Sequence, residues 1–211
     1  MKIFSRISAF LFIVTLLGFS NFVFAAPSLP IPADPLTNGF ELVNVDSDEV
    51  KGNGDANNDV FGISSDGRYV IFNSAATNLV ADDTNGVTDI FVRDMESGIT
   101  LRVSVDSEGN EANNHSGDAS ISSDGRYVAF SSNASNLVVG DSNGLGDIFV
   151  YDRDTDTIER VSIDSEGLEG NNTSVSPSIS ADGRYVIFDS DATNLVGDDT
   201  NGAQDIFVYD Q

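Results

Sequence analysis

One block of sequence recurs three times along this chain at a fixed interval, and that interval limits the folds that the chain can adopt. The nonapeptide returns every 58 residues, as SSDGRYVIF (64–72), SSDGRYVAF (122–130) and SADGRYVIF (180–188). The shorter blocks DIFV and NLV keep the same spacing. A fixed period of this kind indicates a repeat architecture, in which each unit buries its apolar face against its neighbours.

Each unit has the pattern of four short antiparallel strands, here called a, b, c and d. In the second unit the alternating apolar residues predict strand a at 119–123, b at 126–132, c at 147–152 and d at 158–164. The Asp-Gly pair between a and b is typical of a tight hairpin whose two turn positions tolerate positive φ. Four-stranded sheets repeated along a chain predict an all-β fold, a β-propeller with three blades in this chain.

The residues of the unit also resemble a known family. The pattern S-x-D-G-R-Y-V-x-F, followed by D-I-F-V-Y-D and R-V-S, resembles the WD40-like (PD40) repeat of TolB-type β-propellers over most of residues 40–211. The resemblance implies the propeller fold and says little about function. Two features depart from the family: Ser65, Ser123 and Ala181 replace the proline of its Ser-Pro-Asp-Gly turn, and the unit is longer than its roughly 40-residue repeat.

The order of the strands indicates an open array. The chain supplies a d strand at Glu41–Asp46, then two full units, then strands a, b and c of a third unit. Propellers complete their last blade with a strand from the other end, because an open edge exposes unpaired backbone groups. We therefore expect a homodimer in which two chains, placed head to tail, form one six-bladed ring. A fragment of a longer array would have the same strand order, and this alternative stays open.

The first 25 residues differ from the rest of the chain. They begin with Lys2 and Arg6, continue as a short apolar run and end at Ala25, which is the pattern of a cleaved secretory signal peptide rather than of a retained membrane anchor. A proline-rich linker (26–39) and the three-blade segment (40–211) follow. The absence of cysteine fits an exported protein, periplasmic or extracellular, that uses no disulfides.

The charge of the chain excludes some partners. The formal charge is −24, and loss of Lys2 and Arg6 with the signal peptide makes it −26. A chain with this charge repels phosphate, so neither nucleic acid nor, after cleavage, a membrane is an expected partner. Divalent cations or a basic partner would be attracted. Alternatively, the charge serves only to keep an exported protein soluble.

The loop between strands b and c carries the motif D-x-N-G-x-x-D in every unit. Its candidate metal ligands are Asp83, Asn85, Asp89, Asp141, Asn143, Asp147, Asp199, Asn201 and Asp205. Clustered side-chain oxygens suit calcium, although the early glycine and the apolar fifth position differ from an EF-hand loop. The alternative is a turn, because Asn-Gly favours turns and a neighbouring aspartate can cap backbone N–H groups. The sequence leaves both interpretations open.

Repeated arginines and aromatic residues are predicted to be structural. Ligand-reading arginines usually occur once, whereas these recur, so we expect them to tie strands b and d to neighbouring aspartates: Arg68, Arg126 and Arg184 on strand b, and Arg102 and Arg160 on strand d. The repeated tyrosines and phenylalanines are predicted to form the core: Tyr69, Tyr127, Tyr185, Phe72, Phe130 and Phe188.

No catalytic residues are predicted, because His115 is the single histidine and has no counterpart in the other units. The units also look too alike to place non-repeated polar residues in the central channel, where an active site would need them. The b–c loops and d–a connections should share one face of the disc, and binding residues concentrate on loops. The favoured function is an exported, non-catalytic module that binds a protein or glycan through this acidic loop face. The alternatives are a calcium-dependent enzyme acting on polysaccharide or peptide, and a calcium-stiffened surface module.

Overall fold

The computed structural model describes residues 39–211, so the predicted signal peptide and nearly all of the predicted linker lie outside the described residues. The described part contains eleven strands: β1 Ala56–Ile63, β2 Tyr69–Ser74, β3 Asp89–Asp94, β4 Ile99–Arg102, β5 Ser116–Ile121, β6 Tyr127–Ser132, β7 Asp147–Asp152, β8 Thr157–Arg160, β9 Ser174–Ile179, β10 Tyr185–Ser190 and β11 Asp205–Asp210. Residues 39–211 form no helix, and accordingly none with the length and apolarity needed to cross a bilayer.

The strands form three antiparallel sheets, each of which is one blade. Blade 1 is β1-β2-β3-β4, blade 2 is β5-β6-β7-β8 and blade 3 is β9-β10-β11. The pairing of strands b and c has the same register in every blade: in blade 2, Tyr127 lies opposite Asp152 and Ser132 opposite Asp147. The predicted all-β propeller with three blades is confirmed, and blade 3 has three strands within the described residues.

Paired phenylalanines from strands b and c form the core of each blade. Phe130 and Phe149 are fully buried, and their stacked ring centroids lie 5.9 Å apart. The equivalent pairs in blades 1 and 3 are also stacked, at 5.6 and 6.0 Å. Burying a ring of this size contributes about 1.5–3 kcal/mol. The prediction that the repeated phenylalanines form the core is confirmed.

The turn between strands a and b differs from the predicted two-residue hairpin. The N–H of Gly125 donates to the carbonyl oxygen of Ser122 at 3.0 Å, which makes a four-residue turn. Only the glycine has a positive φ, of 76°. Asp124 instead caps the turn, because its Oδ1 accepts hydrogen bonds from Ser122 Oγ at 2.6 Å and from the N–H of Arg126 at 3.0 Å.

Strands a and d have other bounds than predicted. Strand a of blade 2 begins at Ser116, because a bulge between Gly117 and Ser120 places extra residues before the regular pairing. Strand d ends at Arg160, after which the chain leaves the sheet and enters the d–a connection.

The predicted d strand at Glu41–Asp46 is not a strand. Val45 pairs with Lys51 in an isolated bridge, and Val105 makes the same bridge with Glu111 in the connection between blades 1 and 2. Residues 43–51 are therefore a d–a connection that precedes blade 1. Residues 39–42 cannot serve as the d strand of blade 1, because β4 already pairs with strand c of that blade, β3.

The repeated tyrosines lie at the boundaries between blades. A Cβ atom on Gly125 would lie 2.2 Å from the ring of Tyr69, and one on Gly183 would lie 2.2 Å from the ring of Tyr127. Glycine is thus required in blades 2 and 3 both for its positive φ and for the space that the preceding blade's tyrosine fills. The predicted core position of the tyrosines is a packing position between blades.

We expect Gly125→Ala to lower the free energy of unfolding more than Gly109→Ala. Both glycines have positive φ, so both variants carry a backbone cost of about 1–2 kcal/mol. At Gly125 the new methyl group also collides with Tyr69, which adds about 1–3 kcal/mol, whereas the space at Gly109 is open. Urea unfolding measures both values, and equal losses would contradict the tyrosine–glycine packing.

Candidate functional site

The b–c loops and the d–a connections meet at one end of the blades, as predicted. Asn85 Nδ2 donates to the carbonyl oxygen of Ala112 at 2.9 Å, and Asn143 makes the same bond with Gly170 at 2.8 Å. We call this end the loop face; it comprises the b–c loops and d–a connections at 75–88, 103–115, 133–146, 161–173 and 191–204.

The opposite end of the blades is held by the arginines of strand b. Arg126 donates two hydrogen bonds to the carboxylate of Asp152, at 2.9 and 2.7 Å, and its guanidinium lies 4.7 Å from the ring centroid of Tyr127. These hydrogen bonds lower the pKa of Asp152 to about 2. The same bidentate pairs occur in blades 1 and 3. The predicted structural role of these arginines is confirmed.

On the loop face of blade 2, the motif aspartates gather around an arginine. Arg160 Nη1 lies 2.8 Å from Glu169 Oε2, 3.3 Å from Asp147 Oδ2 and 3.8 Å from Asp141 Oδ1. The side chains of Asp141 and Asp147 are 1% and 0% exposed. In blade 1 the equivalent cluster around Arg102 has distances of 3.0, 3.6 and 3.7 Å. The guanidinium therefore supplies the positive charge that a bound cation would otherwise supply.

The glutamate of each cluster was not among the predicted site residues. Glu169 accepts hydrogen bonds from Ser142 Oγ at 2.5 Å and from the N–H of Ser142 at 3.1 Å. The bond from the Ser142 hydroxyl is the main cause of the lowered pKa of Glu169. Glu111 makes the equivalent contacts with Thr84. The signal that could have found both is their own recurrence, nine residues after the arginine.

The motif asparagine acts as a turn residue. Asn143 Oδ1 accepts the N–H of Leu145 at 2.7 Å, while its Nδ2 donates to Gly170. The glycine between them, Gly144, has a φ of 67°. These contacts are those of an Asx turn, and they support the turn interpretation of the motif. Calcium binding by the loops stays a prediction.

The buried carboxylates of the cluster are held at a cost. Burial raises the pKa of Asp147, and the hydrogen bond from Ser162 Oγ at 2.5 Å opposes this rise. Burial, and then repulsion by Asp147, raises the pKa of Asp141, whose carboxylate accepts no hydrogen bond from the described residues. The ionised form of both groups therefore depends on the nearby guanidinium.

Blade 3 has the motif residues without an arginine. Asn201 Oδ1 accepts the N–H of Ala203 at 2.7 Å, so the turn is preserved, and Asn201 Nδ2 donates to Asp205 Oδ2 at 3.0 Å. Neither carboxylate oxygen of Asp199 accepts a hydrogen bond, and no described arginine forms an ion pair with Asp199 or Asp205.

We expect Arg160→Gln to lower the free energy of unfolding at pH 7 by about 3–5 kcal/mol, because it leaves two buried carboxylates without a positive charge. The pKa of each aspartate is already raised and should rise further. The folded variant then binds protons more tightly than its unfolded chain, so its deficit should shrink as the pH falls through the raised pKa, above the ordinary value of 3.8.

The matched control is Arg126→Gln, which removes the partner of an aspartate whose pKa is lowered. Stability from that pair is present above pH 3.8 and is lost toward pH 2, so the control's smaller deficit should persist to about pH 4. Urea unfolding from pH 7 to pH 3 measures both variants. A deficit of Arg160→Gln that stays constant over this range would contradict the assignment.

Calcium should raise the unfolding temperature of the wild type less than that of Arg160→Gln, because guanidinium groups occupy the clusters of blades 1 and 2 in the wild type. In Arg160→Gln the emptied cluster offers three carboxylates with oxygens within 4.8 Å of one another, so calcium should restore part of the lost stability. Thermal melts in calcium, magnesium and chelator test this. A clear rise for the wild type in calcium alone would assign calcium to the native loops.

The three units are not alike everywhere, contrary to expectation. Chemically different residues occupy equivalent positions at the loop-face ends of strands a, b and c: Asn73, Ser131 and Asp189; Ala75, Asn133 and Asp191; Thr88, Gly146 and Gln204; His115 and Thr173; Asp118 and Ser176. The sequence shows each difference, but only the fold shows that these positions lie together.

Seven of these residues, all from the first two units, line a cavity of about 270 Å³, to which blade 3 adds Ser174 and Val175. We call it the channel mouth; its polar residues at variable positions are Asn73, Thr88, His115, Asp118, Ser131 and Asn133. Asn73 is 5% exposed, and its Oδ1 has no hydrogen-bond partner among the described residues. Ser131 Oγ donates to Asp118 Oδ2 at 3.1 Å.

His115 is not arranged for nucleophilic catalysis. Its Nδ1 accepts the backbone N–H of Thr88 at 3.0 Å, which fixes the ring at the rim of the channel mouth. Within residues 39–211, no serine hydroxyl donates to the imidazole of His115 and no carboxylate pairs with it; Ser132 Oγ donates to the backbone carbonyl oxygen of His115 instead, at 3.3 Å. What the channel mouth offers is a set of hydrogen-bond donors and acceptors.

No protein-family model and no curated protein matches this chain. Among solved structures, TolB from Acinetobacter baumannii is similar with a TM-score of 0.44 and 20% identity, over 77% of this chain and 31% of that one. A putative TolB from Agrobacterium tumefaciens gives 0.45 and 19%, over 74% and 46%, and the tricorn protease gives 0.42 and 19%, over 69% and 12%. The chain thus spans less than half the length of each, and the propeller assignment rests on its own sheets and registers.

Proposed function

We propose that this chain is a non-catalytic binding module that recognises a protein or glycan partner through its loop face, with the channel mouth as the specific contact. The observation that carries the proposal is the position of the variable residues. The units repeat their phenylalanine core, their turns and their arginine–aspartate pairs, and seven residues at positions where the units differ line one cavity. A rigid scaffold that varies one ring of side chains is typical of a recognition surface.

The chemistry of the channel mouth suits uncharged polar groups. The Oδ1 of Asn73 is a free acceptor, Asp118 is a charged acceptor, and Asn133 offers both a donor and an acceptor. Sugar hydroxyls and peptide amides are groups that such a set can bind. The acidic loops around the mouth favour a neutral or basic partner over an anionic one.

The proposal includes export and assembly. The signal-peptide pattern of residues 1–25 supports export, and an exported module would lie in the periplasm or outside the cell. Assembly of two copies into a six-bladed ring is supported by the outer face of β11, where Ile206 and Val208 are each 70% exposed. Their equivalents in blade 2, Ile148 and Val150, are buried.

A calcium-stiffened surface module is the second candidate. It is favoured by the carboxylate cluster of Asp141, Asp147 and Glu169. The melts in calcium and chelator separate it from the first candidate.

The proposal is tested by giving the channel mouth the residues of a neighbouring unit. Asn73→Ser copies Ser131, His115→Thr copies Thr173, and Asp118→Ser copies Ser176. Each new residue already occupies the equivalent backbone position elsewhere, and Asp118 and Ser176 share a positive φ of 47° and 57°. We expect the triple variant to melt within a few degrees of the wild type and to lose at least tenfold in affinity.

The probes are a glycan array and an array of immobilised peptides, with the labelled wild type identifying the ligand on which affinities are measured. The control is Asp154→Asn, a change on the opposite end of blade 2, where the side chain is exposed. It should bind as the wild type does. A triple variant that keeps full affinity for the selected ligand would refute recognition through the channel mouth.

A further inference from the structure

We infer that Lys51 of one copy joins two chains by inserting between Asp199 and Asp205 of a second copy, in the place that arginine takes in blades 1 and 2. This inference rests on the head-to-tail assembly included in the proposed function. The second copy would cover the exposed face of blade 3, and the contact of Lys51 with the two aspartates would make this pairing specific.

The first step is the way in which each d–a connection holds the preceding blade. Glu111 binds Thr84 in the b–c loop of blade 1, and Glu169 binds Ser142 in that of blade 2. Lys51 holds the same position, because it makes the isolated bridge with Val45 that the two glutamates make in their own connections. Lys51 is therefore placed to reach the b–c loop of a blade that precedes blade 1.

The second step is a replacement of charges at these positions. In each later connection an arginine precedes the glutamate by nine residues, as with Arg102 and Glu111. In the first connection the corresponding residues are Leu42 and Lys51. The position of the arginine thus holds an uncharged leucine in the first connection, and the position of the glutamate holds a lysine. At these two positions the first connection therefore offers one cation and no carboxylate.

The third step is that, among the described residues, blade 3 has no cation beside its motif aspartates. Asp199 and Asp205 have the same places in the motif as Asp141 and Asp147, yet they form no ion pair with any described residue. Both carboxylate oxygens of Asp199 are shielded from solvent and accept no hydrogen bond. Asp199 and Asp205 line the same cleft, and a single ammonium group would supply the positive charge that Arg160 supplies to the equivalent pair in blade 2.

The fourth step is the fit of the surrounding surface. Tyr69 and Tyr127 fill the spaces over Gly125 and Gly183, whereas Tyr185 is 40% exposed. The equivalent space over Gly67 holds only the tip of one isoleucine, 4.0 Å from an added Cβ. The tyrosine of blade 3 and the glycine of blade 1 therefore match as the two halves of the contact that joins the other blades.

The exposed backbone at both sites matches in the same way. Strand β11 has one unpaired edge, and residues 39–42, which would extend along it, include Phe40 and Leu42 at 92% and 51% exposed. Pairing this segment with β11 would supply the d strand of blade 3 and bring Leu42 to the position that arginine has in blades 1 and 2. The contact is heterologous, and two copies close it if the ring has six blades.

The test measures the mass of the exported protein by sedimentation over a range of concentrations. The wild type should be a dimer. Lys51→Glu restores the glutamate of the other connections without their arginine, so it should weaken dimerisation at least tenfold. The double variant L42R/K51E recreates the arginine–glutamate pair of blades 1 and 2, and it should dimerise again. The double variant V139R/K51E adds the same charge at an exposed position of blade 2, away from this contact, and it should stay weakened; recovery there would indicate a general effect of charge.

Gly67→Ala is the second test, with Gly109→Ala as its control. Both variants carry the same backbone cost, but only the first places a methyl group where Tyr185 of the second copy would pack. Gly67→Ala should weaken the dimer and Gly109→Ala should not.

The possible outcomes distinguish the lysine contact from the six-bladed ring on which it rests. A dimer that Lys51→Glu leaves unchanged would overturn the lysine contact and leave the ring standing. A wild type that stays monomeric at every concentration would overturn both the ring and this inference. Neither result bears on the channel mouth, whose role is read from the arrays.

Discussion

The guanidinium of Arg160 joins four parts of the chain at one point. It extends from strand d, contacts the b–c loop through Asp141 and strand c through Asp147, and reaches the following connection through Glu169. Because that connection leads into the next blade, the cluster fixes both the shape of one blade's loop and the approach of its neighbour. The desolvation of two aspartates opposes this arrangement, and the arginine makes it stable. The loop face can therefore hold a long, polar loop in a single conformation.

That fixed loop is what allows the channel mouth to vary. Beside the ion cluster, asparagine side chains hold each d–a connection to the b–c loop of the next blade. Asn113 and Asn136 bind each other's loops in blade 2, and Asn171 and Asn194 do so in blade 3. With the loops held from outside, the side chains at the loop-face ends of the strands do not have to be the same in every unit. Their side chains differ from unit to unit, while blades 2 and 3 share the same backbone bulge in strand a. Variation at His115 and its equivalents is thus compatible with a constant fold.

Much of this fold could be predicted from the period and the alternation of apolar residues, because strands b and c are held by local patterns that repeat without change. The bulge in strand a and the early end of strand d could not, since both depend on how the connection departs from the sheet. The role of Glu169 was missed because it binds a loop 27 residues earlier in the chain. The channel mouth was missed for a similar reason: Asn73 and His115 are distant in sequence, and only the sheet order brings their positions to one cavity.

The aspartates of the b–c loop motif need a nearby positive charge, and residues of different types can supply it. Two buried carboxylates need a cation, and a free ion would leave whenever its concentration fell, whereas an arginine on the adjacent strand is covalently present in every folded molecule. Blades 1 and 2 use this internal cation. In the connection before blade 1, leucine has the arginine position and the chain's single lysine outside residues 1–38 has the glutamate position. If Lys51 of a second copy supplies the cation of blade 3, the stability of the b–c loop of that blade depends on assembly.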